Sequence, residues 1–262
     1  MLSLFIYLAA GVAVGLCSGL LGIGGGLIVV PVLLTVLVAQ GYAMDVAMPV
    51  AVASSLATII ATGLSSAQAH WRLGNIVGSV LPWLLLGLMS GALVGAQLAV
   101  AIPGRTLQII FGIFLLLLSA RMISSGRVPE GRQVPPPPVV TGVGGVIGTL
   151  SGLLGIGGGT MTVPFMAWTG AEMRRAVGTS AVGNVAIALA GSVGFIVAGT
   201  GQDQLPAWST GYVYWPAVAG IAVASVLTAP LGARLASRLP ARWLRRGFAA
   251  FLLLVGVRML LG

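Results

Sequence analysis

Apolar residues fill this chain in blocks of about 20, the length at which an α-helix crosses a bilayer core. Such blocks lie at about 47–67, 77–100, 105–123, 175–198, 212–233 and 246–261. Two stretches break the pattern. Residues 3–39 and 139–170 are each too long for one helix and short for two full crossings. Each is split by the same nine residues, SGLLGIGGG, at Ser18–Gly26 and Ser151–Gly159. Each cluster is followed, five residues after its last glycine, by a proline: Pro31 and Pro164.

The duplication extends over the whole chain. AVASS (Ala51–Ser55) matches AVGTS (Ala176–Ser180), and Gly91–Pro103 matches Thr228–Pro240. Phe111–Met122 matches Phe248–Met259, with Arg121 opposite Arg258. Self-similarity of this kind marks two copies of one structural unit. The organisation predicted is an N-terminal transmembrane repeat over 1–123, a linker over 124–138 and a C-terminal repeat over 139–262. The linker, SSGRVPEGRQVPPPP, is polar and ends in four prolines, which favour polyproline II and exclude helix.

Composition turns the pattern into a class. Only 6% of the 262 residues are charged and 58% are hydrophobic, with mean hydropathy +1.08. A surface this poor in charge cannot face water, so the chain is an all-α integral membrane protein. The single cysteine, Cys17, excludes an internal disulfide and a cysteine-rich metal site. The net charge of +9 comes from thirteen arginines and no lysine, and no basic face interleaves with aromatics, so nucleic acid is not a partner. The bilayer is. MLSLFIYLAAG lacks a basic leader and reads as the start of the first membrane segment.

Charge then sets the topology. If residues 139–170 leave and return to the same side, the linker, Arg72, Arg121, Arg174, Arg175 and the run Arg234–Arg246 share one face. Were that region to cross once, seven arginines of the second half would lie outside. The positive-inside rule therefore predicts a cytoplasmic linker and external termini in a cell inner (plasma) membrane. Each half then comprises a glycine-broken helix pair plus three transmembrane helices. That odd parity inverts one half relative to the other, giving two inverted-topology repeats, an arrangement common in secondary transporters. Charge alone leaves open whether each broken pair is two short crossings or a re-entrant hairpin.

These residues carry a family resemblance. The paired GLLGIGGG…P motifs, the AVGTS segment after them and the C-terminal LGARLASRLPARWLRRGFAAFLLLVGVRML resemble the TauE/SafE sulfite exporter family over nearly the whole chain outside the linker. The resemblance implies a permease for sulfite, a sulfonate or a related small inorganic or organic sulfur anion. It implies transport without a cofactor. The first half departs from the second in reading AVASSL where the second reads AVGTSAVGN.

The motifs themselves suggest how an anion is held. A helix that restarts after each glycine cluster offers unpaired backbone N–H groups and the positive end of its dipole. Glycine lets a ligand approach that backbone closely. The predicted binding groups are Gly24, Gly25 and Gly26 from the first tip and Gly157, Gly158, Gly159 and Thr160 from the second. Neutral donors come from Ser54, Ser55, Thr179, Ser180 and Asn184 on the helices that follow, and Pro31 and Pro164 are candidate kinks or gates. The alternative for each glycine is close helix packing, as for Gly87, Gly91 and Gly95; for each hydroxyl it is a bond to its own helix.

Other classes fit less well. Asp45, Glu130, Glu172 and Asp203 fall in predicted loops and His70 sits at an interface, so no nucleophile–base pair or metal cluster is available for an enzyme. The same lack of buried acids argues against a cation carrier. A purely structural protein, or a carrier of a different small anion, remains as the alternative; proton or ion coupling and homo-oligomerisation are open. The topology makes a direct prediction: in a Gly131→Cys variant the thiol is shielded from an impermeant reagent in intact cells and reacts once the membrane is permeabilised.

Overall fold

The computed structural model describes the backbone of residues 2–21, 25–123, 135–236 and 241–261. Side chains are described for 5–17, 25–122, 135–229, 231 and 246–261. Gly24 and most of the predicted linker, residues 124–134, lie outside the described residues.

The described chain is helical almost throughout. The first half comprises α1 (Leu2–Leu21), α2 (Gly26–Ala39), α3 (Met44–Arg72), α4 (Leu81–Ala101) and α5 (Gly104–Ile123). The second comprises α6 (Pro137–Leu154), α7 (Gly159–Trp168), α8 (Met173–Ala198), α9 (Trp215–Ala236) and α10 (Ala241–Leu261). A small hairpin, β1 (Ser209–Thr210) with β2 (Val213–Tyr214), precedes α9. Five of the helices are long and apolar enough to span a membrane. Some boundaries differ from the sequence pattern. Asp45 lies in the first turn of α3, where its Oδ1 accepts the Gly104 N–H at 2.6 Å and ties α3 to the start of α5. Glu172 is the N-cap residue of α8. Helix α6 starts at Pro137, inside the predicted linker, because proline is favourable in a first turn.

The α2 and α7 helices have 14 and 10 residues, about 21 and 15 Å at 1.5 Å per residue. Neither can span a core of about 30 Å. Both broken pairs return to the face they left. Ile6 near the start of α1 and Gln40 at the end of α2 line one cavity, together with the beginning of α3 and the end of α10. On the opposite face, Thr141 at the start of α6 donates to the Trp83 carbonyl (3.1 Å), and Arg175 at the start of α8 donates to the Ile76 carbonyl (3.2 Å).

Packing exchanges the halves. The pair α4–α6 runs parallel: side chains built on Gly87, Gly91 and Gly95 would overlap the backbone at Thr141, Gly145 and Thr149 in turn. The pair α1–α9 is its counterpart, with Gly11 against Ile221 and Ala224 and Gly15 against Ser225. Small residues at four-residue intervals let each pair close backbone to backbone. The repeat-equivalent helices meet each other antiparallel. In α3–α8, Leu56 packs on Gly191, Gly63 on Val185, and Asn75, just past α3, on Gly178. In α5–α10, Arg105 reaches the Leu260 carbonyl and Ser119 the Ala249 carbonyl. The deepest element is α3, buried continuously from Ala47 to Ile59.

Gly91→Ala should cost about 1–3 kcal/mol of stability, the usual penalty for forcing atoms into a packed contact. The expected result is a lower unfolding temperature in detergent, with ligand affinity of the folded fraction unchanged.

Candidate ligand site at the broken helices

Helix α6 ends because Gly155 adopts a left-handed conformation (φ +66°), and the N–H groups of Gly155 and Ile156 both return to the Ser151 carbonyl. A side chain there would also strike Val52, so the position requires glycine. The chain restarts at Gly158, the N-cap of α7, as it restarts at Gly25 for α2. Neither cap has a side-chain hydrogen bond. The first bonds are the same in both copies. Ile28 and Val29 donate to the Gly25 carbonyl at 3.0 and 3.1 Å; Met161 and Thr162 donate to the Gly158 carbonyl at 3.0 and 2.7 Å. The N–H groups of Gly26 and Leu27, and of Gly159 and Thr160, precede those bonds and have no intrahelical acceptor. Pro31 and Pro164, inside α2 and α7, lack the N–H that would reach four residues back, which releases the carbonyls of Leu27 and Thr160.

The two clusters meet. A Cβ on Gly26 would overlap the Gly155 carbonyl oxygen and lie 3.1 Å from the Ser55 hydroxyl. Ser55 Oγ donates to that same carbonyl at 2.7 Å. The remaining glycines divide by what they face. Gly25 packs on Val14, and Gly158 on Ile187, where an added Cβ would come within 2.5 Å of Cδ1. Gly157 and Gly159 face polar groups. Among the described residues, a Cβ on Gly157 would meet the Asn184 amide at 3.5 Å, and one on Gly159 would meet Asn184 Nδ2 at 3.3 Å and Ser180 Oγ at 3.6 Å.

The hydroxyls divide too. Ser54 accepts the Tyr214 N–H at 3.0 Å and Thr179 accepts the Val77 N–H at 2.9 Å. These are equivalent residues making equivalent bonds, each to the loop of the opposite half. Ser54, Ser55 and Thr179 thus have protein partners. Ser180 Oγ, Asn184 Oδ1 and Thr160 Oγ1 are buried and have none. Thr162, which the sequence reading did not select, is 0% exposed and its hydroxyl is also unpartnered, but it faces Gly158 on the side of Ile147 and Ile187, away from Asn184. Its signal in the sequence is the Thr-Met-Thr that directly follows the second cluster. Each buried hydroxyl or amide without a partner costs on the order of 1–3 kcal/mol; of these, Ser180 and Asn184 are the two that meet at one place, against Gly159. No charged side chain takes part, and no group of three or more metal-ligating side chains occurs among the described residues.

Apolar spanning helices and two broken helices meeting inside the fold fit a multi-pass membrane protein of the transporter class. Comparison with known proteins agrees. The family model described as sulfite exporter TauE/SafE matches residues 7–259, and the chain belongs to that family. A probable membrane transporter protein of Haemophilus influenzae is 35% identical, covering 98% of both chains. One from Methanocaldococcus jannaschii is 28% identical over 100% of this chain and 97% of its own, and one from Xylella fastidiosa is 27% identical over 97% and 94%. No solved structure matches.

Ser55→Ala should cost about 1–3 kcal/mol, because it strips the buried Gly155 carbonyl of its donor. Ser180→Ala, with no bond to lose in the unliganded protein, should leave thermal unfolding unchanged or slightly raised. Parallel melting of the two variants checks the division.

Proposed function

We propose that the protein is a secondary transporter that carries a small sulfur-containing oxyanion, such as sulfite or an organosulfonate, through a site at the start of α7. The observation that carries this reading is the pair of unpartnered buried groups Ser180 Oγ and Asn184 Oδ1 against Gly159, next to the unpartnered Thr160 Oγ1, at a helix start whose first N–H groups have no intrahelical acceptor. Hydroxyls donate to an oxyanion, and the Asn184 amide presents its NH2 by rotation of its terminal torsion. The N-terminus of α7 adds about half a positive charge. A neutral site with that field attracts an anion without fixing a counter-ion in the membrane, so release stays inexpensive. The choice of sulfur chemistry rests on the family.

The two halves form an inverted repeat, for which the antiparallel pairing of α3 with α8 and of α5 with α10 is the support. The linker face is cytoplasmic in this reading, since the described Arg72, Arg121, Arg174 and Arg175 lie at the helix ends on that face.

Losing one hydrogen bond to a charged ligand costs on the order of 1.5–3 kcal/mol, about tenfold to a hundredfold in affinity. Uptake of labelled sulfite into proteoliposomes should therefore show Ser180→Ala and Asn184→Leu raising the half-saturating concentration by about that factor each, at unchanged protein folding. Unchanged values in both variants would place the anion elsewhere.

A further inference from the structure

Two loops reach in from opposite faces, and both are fastened to the same position of the duplicated sequence. The segment after α3 starts at the linker face and gives its Val77 N–H to Thr179 Oγ1 on α8 (2.9 Å). The hairpin after α8 starts at the face where α1 begins and gives its Tyr214 N–H to Ser54 Oγ on α3 (3.0 Å). Val77 and Tyr214 are repeat equivalents, as are Thr179 and Ser54. A second pair of bonds is repeated as well. Asn75 N–H reaches the His70 carbonyl (3.0 Å), and Tyr212 N–H reaches the Phe195 carbonyl (3.4 Å).

The two fastening hydroxyls are 0% exposed, and each directly precedes a residue of the central contact. Thr179 precedes Ser180, which faces Gly159; Ser54 precedes Ser55, which donates to the Gly155 carbonyl. One residue advances a helix by about 1.5 Å. Because α8 starts at the linker face, Thr179 lies on that side of Ser180. Because α3 starts at the other face, Ser54 lies on the opposite side of Ser55. The centre is therefore bracketed, with one loop fastened immediately to each side of it. A single bond from loop backbone to one side chain can be released without unwinding a helix.

The two loops are filled differently. At the face where α1 begins, Tyr7 meets Tyr214 edge to face (centroids 6.1 Å apart) and Phe195 meets Tyr212 in the same way (6.3 Å). Tyr7, Phe195 and Tyr212 are buried. The equivalents of Tyr214, Phe195 and Tyr212 at the linker face are Val77, His70 and Asn75, which are smaller or more polar and only half-buried.

We propose that these loops are the two gates of the transporter. The Ser54–Tyr214 latch and its aromatic plug close the central site from the face where α1 begins, and the Thr179–Val77 latch closes it from the linker face. The proposal rests on the transport reading above. An inverted repeat supplies one such gate at each face, as alternating access requires.

The test uses full-length protein in lipid nanodiscs, with both faces accessible, in a Cys17→Ser background. Val213→Cys, at a hairpin position that is 0% exposed, reports on one gate, and its equivalent Ile76→Cys reports on the other. Ser54→Ala should speed modification of Val213→Cys by a charged, impermeant methanethiosulfonate at least fivefold, and by more than it speeds modification of Ile76→Cys. Thr179→Ala should do the reverse. A smaller gain at the matched position overturns the proposal. A gain as large at the other position overturns it too, because it reports general loosening. A second measurement leaves both latches intact. In Tyr7→Cys/Tyr214→Cys, joining the two thiols with o-phenylenedimaleimide should lower sulfite uptake into proteoliposomes at least tenfold relative to capping them with N-ethylmaleimide. A smaller difference means that the hairpin need not move, and overturns the proposal. Failure of the transport reading is distinguishable: uptake is then missing from the unsubstituted protein, while the modification rates, measured without cargo, still decide whether each loop opens on its own.

Discussion

A helix broken inside a bilayer must find partners for the backbone groups it releases, and this molecule is organised around that requirement. Irregular backbone survives at membrane depth only when protein or a cavity surrounds it. Here the solution lies where the two halves touch. The Gly26 end of α2 sits on the Gly155 turn that ends α6, and Ser55 of α3 donates to the Gly155 carbonyl. The first half therefore completes the break in the second. Close approach at this point requires glycine, since any Cβ on Gly26 or Gly155 would enter the opposing backbone.

The exchange extends outward from the breaks. Ser54 holds the loop before α9, and its equivalent Thr179 holds the loop before α4. Helices α1 and α9 form one cross-half pair, and α6 and α4 form its counterpart. Neither half contains its own packing partner for its first helix, so the two repeats are one folding unit in physical terms despite being two in sequence. The relation also explains the glycine content: α1 and α4 carry the glycines that let their partners close, an arrangement that needs no apolar driving force between helices surrounded by lipid.

Symmetry is broken where function is expected. Ser55 and Ser180 are equivalent, yet Ser55 is bonded and Ser180 is not. Position 184 is an asparagine where the first half has Ile59, so the free polar groups gather at the second tip. A one-sided set of unpartnered groups, if it holds the proposed anion, would give that ligand a defined orientation.

Much of this was legible in the sequence. Block length and the scarcity of charge required membrane helices, because a chain with 6% charged residues cannot cover itself in water. The duplicated glycine cluster marked both breaks, and arginine placement indicated that each broken pair returns to its starting face. The roles of individual residues were not legible. SGLLGIGGG is identical in both copies, yet Gly158 packs on Ile187 while Gly157 and Gly159 face Asn184 and Ser180. Ser54, Ser55 and Thr179 looked like ligand donors and are tied to backbone groups as many as 160 residues away. The unpartnered state of Thr162 emerges only when separate helices are brought together. Sequence by itself determined which segments enter the membrane, since that follows from the hydropathy and length of each segment alone. Only the tertiary structure decided which polar atoms are satisfied, because a hydrogen bond depends on where a distant part of the chain comes to rest.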